Sequence, residues 1–168
     1  PHPVGQGGFV GGDGITSMHH NSAGTRISPI EIWESRNPWI VNKIELAKDS
    51  CGAGEFRGGL GLDIEFEMLE ETFVTTVVER TKLPPWGING GKEARANNVI
   101  LHKNNNEKIN IPKKTGYKIN KGEKITFITG GGGGYGDPHK RKKSSIKNDL
   151  KQEYLSKEYV NEHYSFFI

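Results

Sequence analysis

The sequence predicts a mainly β, α+β fold: antiparallel sheets joined by glycine-rich loops and closed by a C-terminal helical hairpin. Three observations lead there. Apolar residues are only 33% of the 168, while 23 residues are glycine, a balance that suits a turn-rich β protein better than a helical bundle. Short segments between residues 39 and 129 alternate apolar and polar side chains, the period of a half-buried strand. From Ser144 the spacing lengthens, with Ile146, Leu150 and Tyr154 four apart, the period of a helix. The chain therefore divides into a β-rich region, 1–137, and a helical tail, 138–168.

Taken in order, residues 1–28 are glycine-rich and irregular. Their opening, PHPVGQGGFVGGDG, has no element before it and is expected to continue a longer protein and to lean on neighbouring chain or ligand. In SPIEIWESRNP, Ser28 and Pro29 suit a cap and first turn and Pro38 is a stop, so a short helical turn is expected. WIVNKIELA (Trp39–Ala47) reads as a strand with a slip or bulge, because Trp39/Val41 and Ile44/Leu46 alternate out of phase. LDIEFEMLE (Leu62–Glu70) alternates cleanly, and TFVTTVVER (Thr72–Arg80) follows after a tight acidic turn, so the two are expected to form a hairpin. NVILHK and EKINIP flank Asn104–Asn106, a natural hairpin tip, and EKITFIT (Glu123–Thr129) is the last strand, entered through the turn Asn120–Gly122. In the tail, Ser144 or Ser145 is expected to cap one helix and Ser156 the second.

Charge and cysteine content narrow the class. The net charge is +3, and subtracting the five cations Lys140, Arg141, Lys142, Lys143 and Lys147 leaves the rest of the chain near −2. The basicity is a local run, expected to be a solvated linker, and not a face for nucleic acid. Cys51 is the single cysteine, so no internal disulfide can form and a reducing, cytoplasmic setting is expected. No apolar run approaches the ~20 residues of a membrane span.

Several groups invite a chemical interpretation. Gly130–Gly134 is a run of five glycines, but a phosphate loop needs Lys-Ser or Lys-Thr next, and Tyr-Gly-Asp-Pro follows instead. Close backbone packing is the favoured role. His19 and His20, with Asp13 and Asn21, carry ligand atoms, yet adjacent residues on a strand point apart, and a polar loop near a cleft is favoured over a metal site. Cys51 in DSCGAG lacks a histidine base placed by sequence. Arg57 and Arg80, at loop–strand borders, could clamp an anion or pair with Glu31, Glu34 or Glu79. Asp13, Glu34, Arg57 and Arg80 are the substrate-contacting candidates, on charge and loop position; no catalytic residue and no metal set is assigned.

Four stretches in fixed order, SPIEIWESRNP, DSCGAGEFRGGLG, ERTKLPPWGINGG and TGGGGGYGDP, resemble the C-terminal part of the hydantoinase B/5-oxoprolinase family, and NDLKQEYLSKEYVNEHY is similar to its closing helices. The resemblance implies part of an ATP-dependent amidohydrolase that opens a cyclic amide, as N-methylhydantoinases and 5-oxoprolinase do. It implies an A-type ATP-binding partner that uses ATP and magnesium, and an oligomeric assembly. The family's metal-bearing segment has no counterpart here, so a divalent ion is expected in an upstream B-type portion and none in this chain. The alternative is a non-catalytic assembly module derived from the same family. The glycine run is expected to be a packing and hinge element between the β region and the tail.

Overall fold

The computed structural model describes residues 2–19 and 27–165. A short helix α1 (Ile30–Arg36) leads into strand β1 (Trp39–Leu46), followed by β2 (Leu62–Met68), β3 (Thr72–Val77), β4 (Asn98–His102), β5 (Lys108–Asn110), β6 (Lys113–Ile119) and β7 (Lys124–Ile128). A 3-10 turn at Pro138–Lys140 then introduces the helices α2 (Lys143–Lys151) and α3 (Lys157–His163). The main sheet has five antiparallel strands in the order β1-β2-β7-β4-β5, and β3 and β6 form a separate antiparallel pair.

The alternation in β2 turns Leu62, Ile64, Phe66 and Met68 inward. With Val99 and Leu101 of β4, Ile125 of β7, and Ile111 and Ile119, they make the main core. Val74 of β3 and Tyr117 of β6 pack onto this core from the small sheet. The irregularity expected in β1 is a register shift between Val41 and Lys43 against β2. The hairpin across Asn104–Asn106 also forms, with Leu101 opposite Ile109.

The expected hairpin of Leu62–Glu70 with Thr72–Arg80 does not form. Both edges of β2 are already taken: Ile64 lies opposite Ile44 of β1 on one side and Phe127 of β7 on the other. The turn is committed elsewhere as well, since Leu69 N–H donates to the Pro38 carbonyl and Met68 N–H to that of Glu123. The chain therefore crosses to a second sheet, where β3 pairs with β6. The lysine-rich β6 carries a bulge that hides its alternation: the register jumps between Val74/Tyr117 and Thr76/Lys114, with Gly116 in the left-handed region at φ +58°.

In the tail, Ser156 Oγ accepts the Tyr159 N–H at 3.0 Å and caps α3 as expected. Ser144 and Ser145 do not cap α2; they lie in its first turn, and Lys142 precedes it without a side-chain cap. The helices have their own core, in which Ile146, Leu155, Val160 and Tyr164 pack on Cys51, Ala53 and Leu60 of the glycine-rich loop between β1 and β2. Tyr164 closes this contact: its hydroxyl accepts the Gly54 N–H at 3.2 Å and donates to the Gly54 carbonyl. Among the described residues, no helix is long and apolar enough to cross a membrane.

Candidate functional site

Glycine recurs in four segments distant in sequence: 5–14, 52–61, 87–91 and 130–136. In the structure they lie side by side, with Gly130–Gly134 in the middle. A Cβ on Gly131 would fall 2.0 Å from the Ser50 carbonyl oxygen, and one on Gly134 1.9 Å from that of Ala53. One on Gly130 or Gly133 would meet the carbonyls of Arg95 or Trp86, and one on Gly132 would lie 1.7 Å from that of Gln6. The neighbours thus repeat every three residues, the period of an extended polyproline-type helix and not of a strand. Three different backbones surround one central chain, and only glycine leaves room for all three.

Hydrogen bonds fix the bundle. Gly132 N–H donates to the Gly59 carbonyl, and Gly52 N–H to that of Gly132 at 2.8 Å. Gly5 N–H donates to Gly130, Gly8 N–H to Gly133, and Ile88 N–H to Gly134. The expected packing role of the run is what the geometry shows, although the run sits at the centre of the β region's loops as well as beside the tail.

One side of the bundle is open. A pocket of about 350 Å³ has Gly130–Gly133 along one wall and Val4, Pro85, Trp86 and Ile88 around it. Its charged group is Arg80. The Arg80 guanidinium lies over the Trp86 ring at 4.7 Å, and no carboxylate forms an ion pair with it among the described residues. The Arg80 backbone is left-handed at φ +52°, uncommon for a side chain of this size, and its carbonyl accepts the Asn97 N–H at 3.1 Å. Asn97 in turn accepts the Gly130 N–H at 2.6 Å.

A second pocket, about 310 Å³, lies between the two sheets. It is walled by aromatic and aliphatic side chains, among them Trp33, Trp39, Phe66 and Phe127. His2 enters it with its ring 4.7 Å from that of Phe127. Burial among these rings lowers the His2 pKa to about 4, so the ring is neutral near pH 7.

Of the four candidates read from sequence, Asp13 and Arg57 come together, the Arg57 backbone N–H donating to Asp13 at 2.9 Å, while Glu34 and Arg80 stand apart. Glu34 accepts the Val41 N–H at 2.8 Å and ties α1 to β1. Asp13 and Arg57 belong to a buried ion cluster with Arg141 and Asp149. Arg141 forks onto both Asp13 oxygens at 2.7 and 2.8 Å and onto Asp149 at 2.7 Å, and Arg57 Nε reaches Asp149 at 3.0 Å. Burial alone would raise the Asp13 pKa, but hydrogen bonding and charge from Arg141, with Arg57, outweigh it and hold the carboxyl below its ordinary value. Arg80 lines the open pocket beside the glycine run.

Arg141 corrects the linker expectation for the basic run: it is 3% exposed, and its two terminal nitrogens donate to Asp13, Asp149 and the Glu55 carbonyl. Neither Arg57 nor Arg80 pairs with Glu31, Glu34 or Glu79; Glu79 pairs with Lys113 instead. Cys51 is buried, and loss of solvation pushes its thiol up to about 11, so it is no ready nucleophile at neutral pH. His19 keeps a buried Nε2 with no partner among the described residues, and His20 and Asn21 lie outside them. No three His, Cys, Asp or Glu side chains gather as a metal set among the described residues. What the sequence missed was the pocket itself, whose walls come from four segments that only the fold assembles.

The pattern of the hydantoinase B/oxoprolinase family matches residues 1–138, and the chain belongs to that family. It is 37% identical over 124 residues to 5-oxoprolinase of Dictyostelium discoideum, covering 74% of this chain and 10% of the relative. It is 30% identical over 154 residues to the B-type subunit of a putative D-/L-hydantoinase of Pseudomonas sp. (strain NS671), covering 90% and 26%. Its fold superposes on the crystal structure of the ATP-dependent caprolactamase of Pseudomonas jessenii with a TM-score of 0.82 at 26% identity, covering 99% of this chain and 30% of that one. The chain thus spans between a tenth and a third of the proteins it matches.

Proposed function

We propose that this chain is one portion of the B-type half of an ATP-dependent enzyme that opens cyclic amides such as 5-oxoproline or a hydantoin. The observation that carries this is membership of the family through residues 1–138, the stretch that builds the glycine bundle and its open pocket. An unstrained amide carbonyl is a poor electrophile; phosphorylation of its oxygen activates the carbon, so that water adds there, the ring nitrogen takes up a proton and leaves, and a second water cleaves the resulting acyl phosphate to carboxylate and inorganic phosphate. In this scheme ATP and magnesium belong to an A-type partner. In the same scheme a divalent ion, where the reaction uses one, is held by other B-type sequence.

This chain's own part is mechanical and polar. The bundle fixes the pocket walls to within a Cβ of one another. The Asp13–Arg141–Asp149–Arg57 cluster locks the tail helices onto the bundle. Arg80 presents a cation beside an exposed indole.

The test is to co-express the chain with an A-type subunit and the remaining B-type sequence, and to follow glutamate formed from 5-oxoproline. Co-purification and ATP-dependent glutamate release are expected. Failure of such a complex to hydrolyse 5-oxoproline, a hydantoin and caprolactam alike would contradict the proposal.

A further inference from the structure

The geometry points to the glycine-walled pocket as a binding site for a small oxyanion, a carboxylate or a phosphoryl group, gripped by Arg80 and by peptide N–H groups of the glycine run. Two independent observations meet there. The first is the Arg80 guanidinium, at the pocket's edge, held over Trp86 at 4.7 Å and with no carboxylate ion-paired to it among the described residues. The other arginines placed near carboxylates are paired: Arg57 and Arg141 with Asp149, Arg95 with Asp63 at 2.8 Å. The second is in the floor. The N–H groups of Gly130, Gly132 and Gly134 have partners, but those of Gly131 and Gly133, both buried, have none among the described residues. A buried peptide donor is almost always satisfied, so two unpaired ones along one pocket wall are a place for an acceptor.

The backbone at Arg80 supports the same assignment. A left-handed arginine is tolerated only where the surroundings hold it, and here its carbonyl takes the Asn97 N–H while Asn97 takes the Gly130 N–H. The position of the cation is thereby tied to the glycine wall through two hydrogen bonds. An arginine fork presents two parallel N–H groups, which match the two oxygens of a carboxylate or two of a phosphoryl group. The indole face beneath it orients the fork and leaves its edge toward the anion. The inference goes beyond the ring-opening proposal and does not depend on it, because binding is read on this chain without ATP or partner.

Titration of the 15N-labelled chain with acetate and, separately, with inorganic phosphate tests it. The amide resonances of Gly131 and Gly133 are expected to move with at least one anion, and the anion that binds more tightly names the source. Arg80→Gly removes the cation while suiting the left-handed backbone, so loss of fold is not expected. In that variant the affinity should fall about tenfold or more, the loss of a charge-assisted pair. Arg36→Ala, which removes the same charge from α1, should leave the titration unchanged. No movement of the two amides with either anion, or equal movement in Arg80→Gly, would overturn the assignment.

Discussion

Arg141 stands among lysines, yet with the Tyr164 contact it is one of the residues that join the tail to the glycine bundle. Its fork spans Asp13 on one segment and Asp149 on α2, and Arg57 completes the square. Removing Arg141 leaves the buried Asp149 with Arg57 as its remaining cation among the described residues, while Asp13, with its side chain 34% exposed, still reaches water. Arg141→Ala is expected to cost about 3–5 kcal/mol in urea unfolding, and Arg141→Lys should recover only part of it, because a point charge cannot serve two carboxylates at once. The sign of the pH effect follows from Asp13. Its pKa is depressed in the fold, so its stabilisation is present above the ordinary carboxylate value and is lost as pH falls through the lower, folded value. The urea midpoint of the wild type should therefore drop more steeply than that of Asp13→Asn below about pH 4; equal slopes would remove Asp13 from the account. Nothing in the sequence marks Arg141 apart from Lys140 or Lys142. Its partners lie far along the chain at Asp13 and eight residues on at Asp149, so charge counting saw only a basic run.

At the scale of elements, the signals that were legible are local ones. Leu62 to Met68 alternates without a break, Asn104–Asn106 makes its own tip, and Ser156 caps α3, because each depends on neighbours within a few residues. Which edge β3 would join was not legible, since β2 alternates identically whether its partner is β3, β1 or β7. β6 was missed because Lys113, Lys114 and Lys118 and the bulge at Gly116 break the pattern of two. The glycine run shows the same limit: it has no side chains to pattern, and its threefold packing exists only when all four segments are together. That packing makes a sharp prediction. Gly132→Ala puts a methyl 1.7 Å from the Gln6 carbonyl oxygen, backbone that cannot swing aside, and should cost about 3 kcal/mol or more. Gly7→Ala, on the same pocket, meets only the Gly133 carbonyl oxygen at 3.7 Å and should unfold within about 0.5 kcal/mol of wild type. Thermal melts of the two variants check this, and equal loss in both would mean that the bundle is not close-packed as described.

For the whole molecule, the two cores do different work. The sheets pack around β2 and β7, while the tail helices pack on the glycine loops, so the pocket lies where neither core covers the backbone. Around the surface Phe9, Val10, Phe73, Val77, Leu83 and Trp86 are each more than half exposed, and large apolar groups left in water are the surface that a larger assembly would cover. The family was legible in four ordered motifs, whereas the site was not, because its walls meet only in three dimensions. The most direct measurement is ATP-dependent ring opening by an A-type subunit and the remaining B-type sequence, with this chain omitted and then restored. Turnover is expected only when the chain is present, and Gly132→Ala should fail to restore it. Turnover at the same rate without the chain would contradict the account.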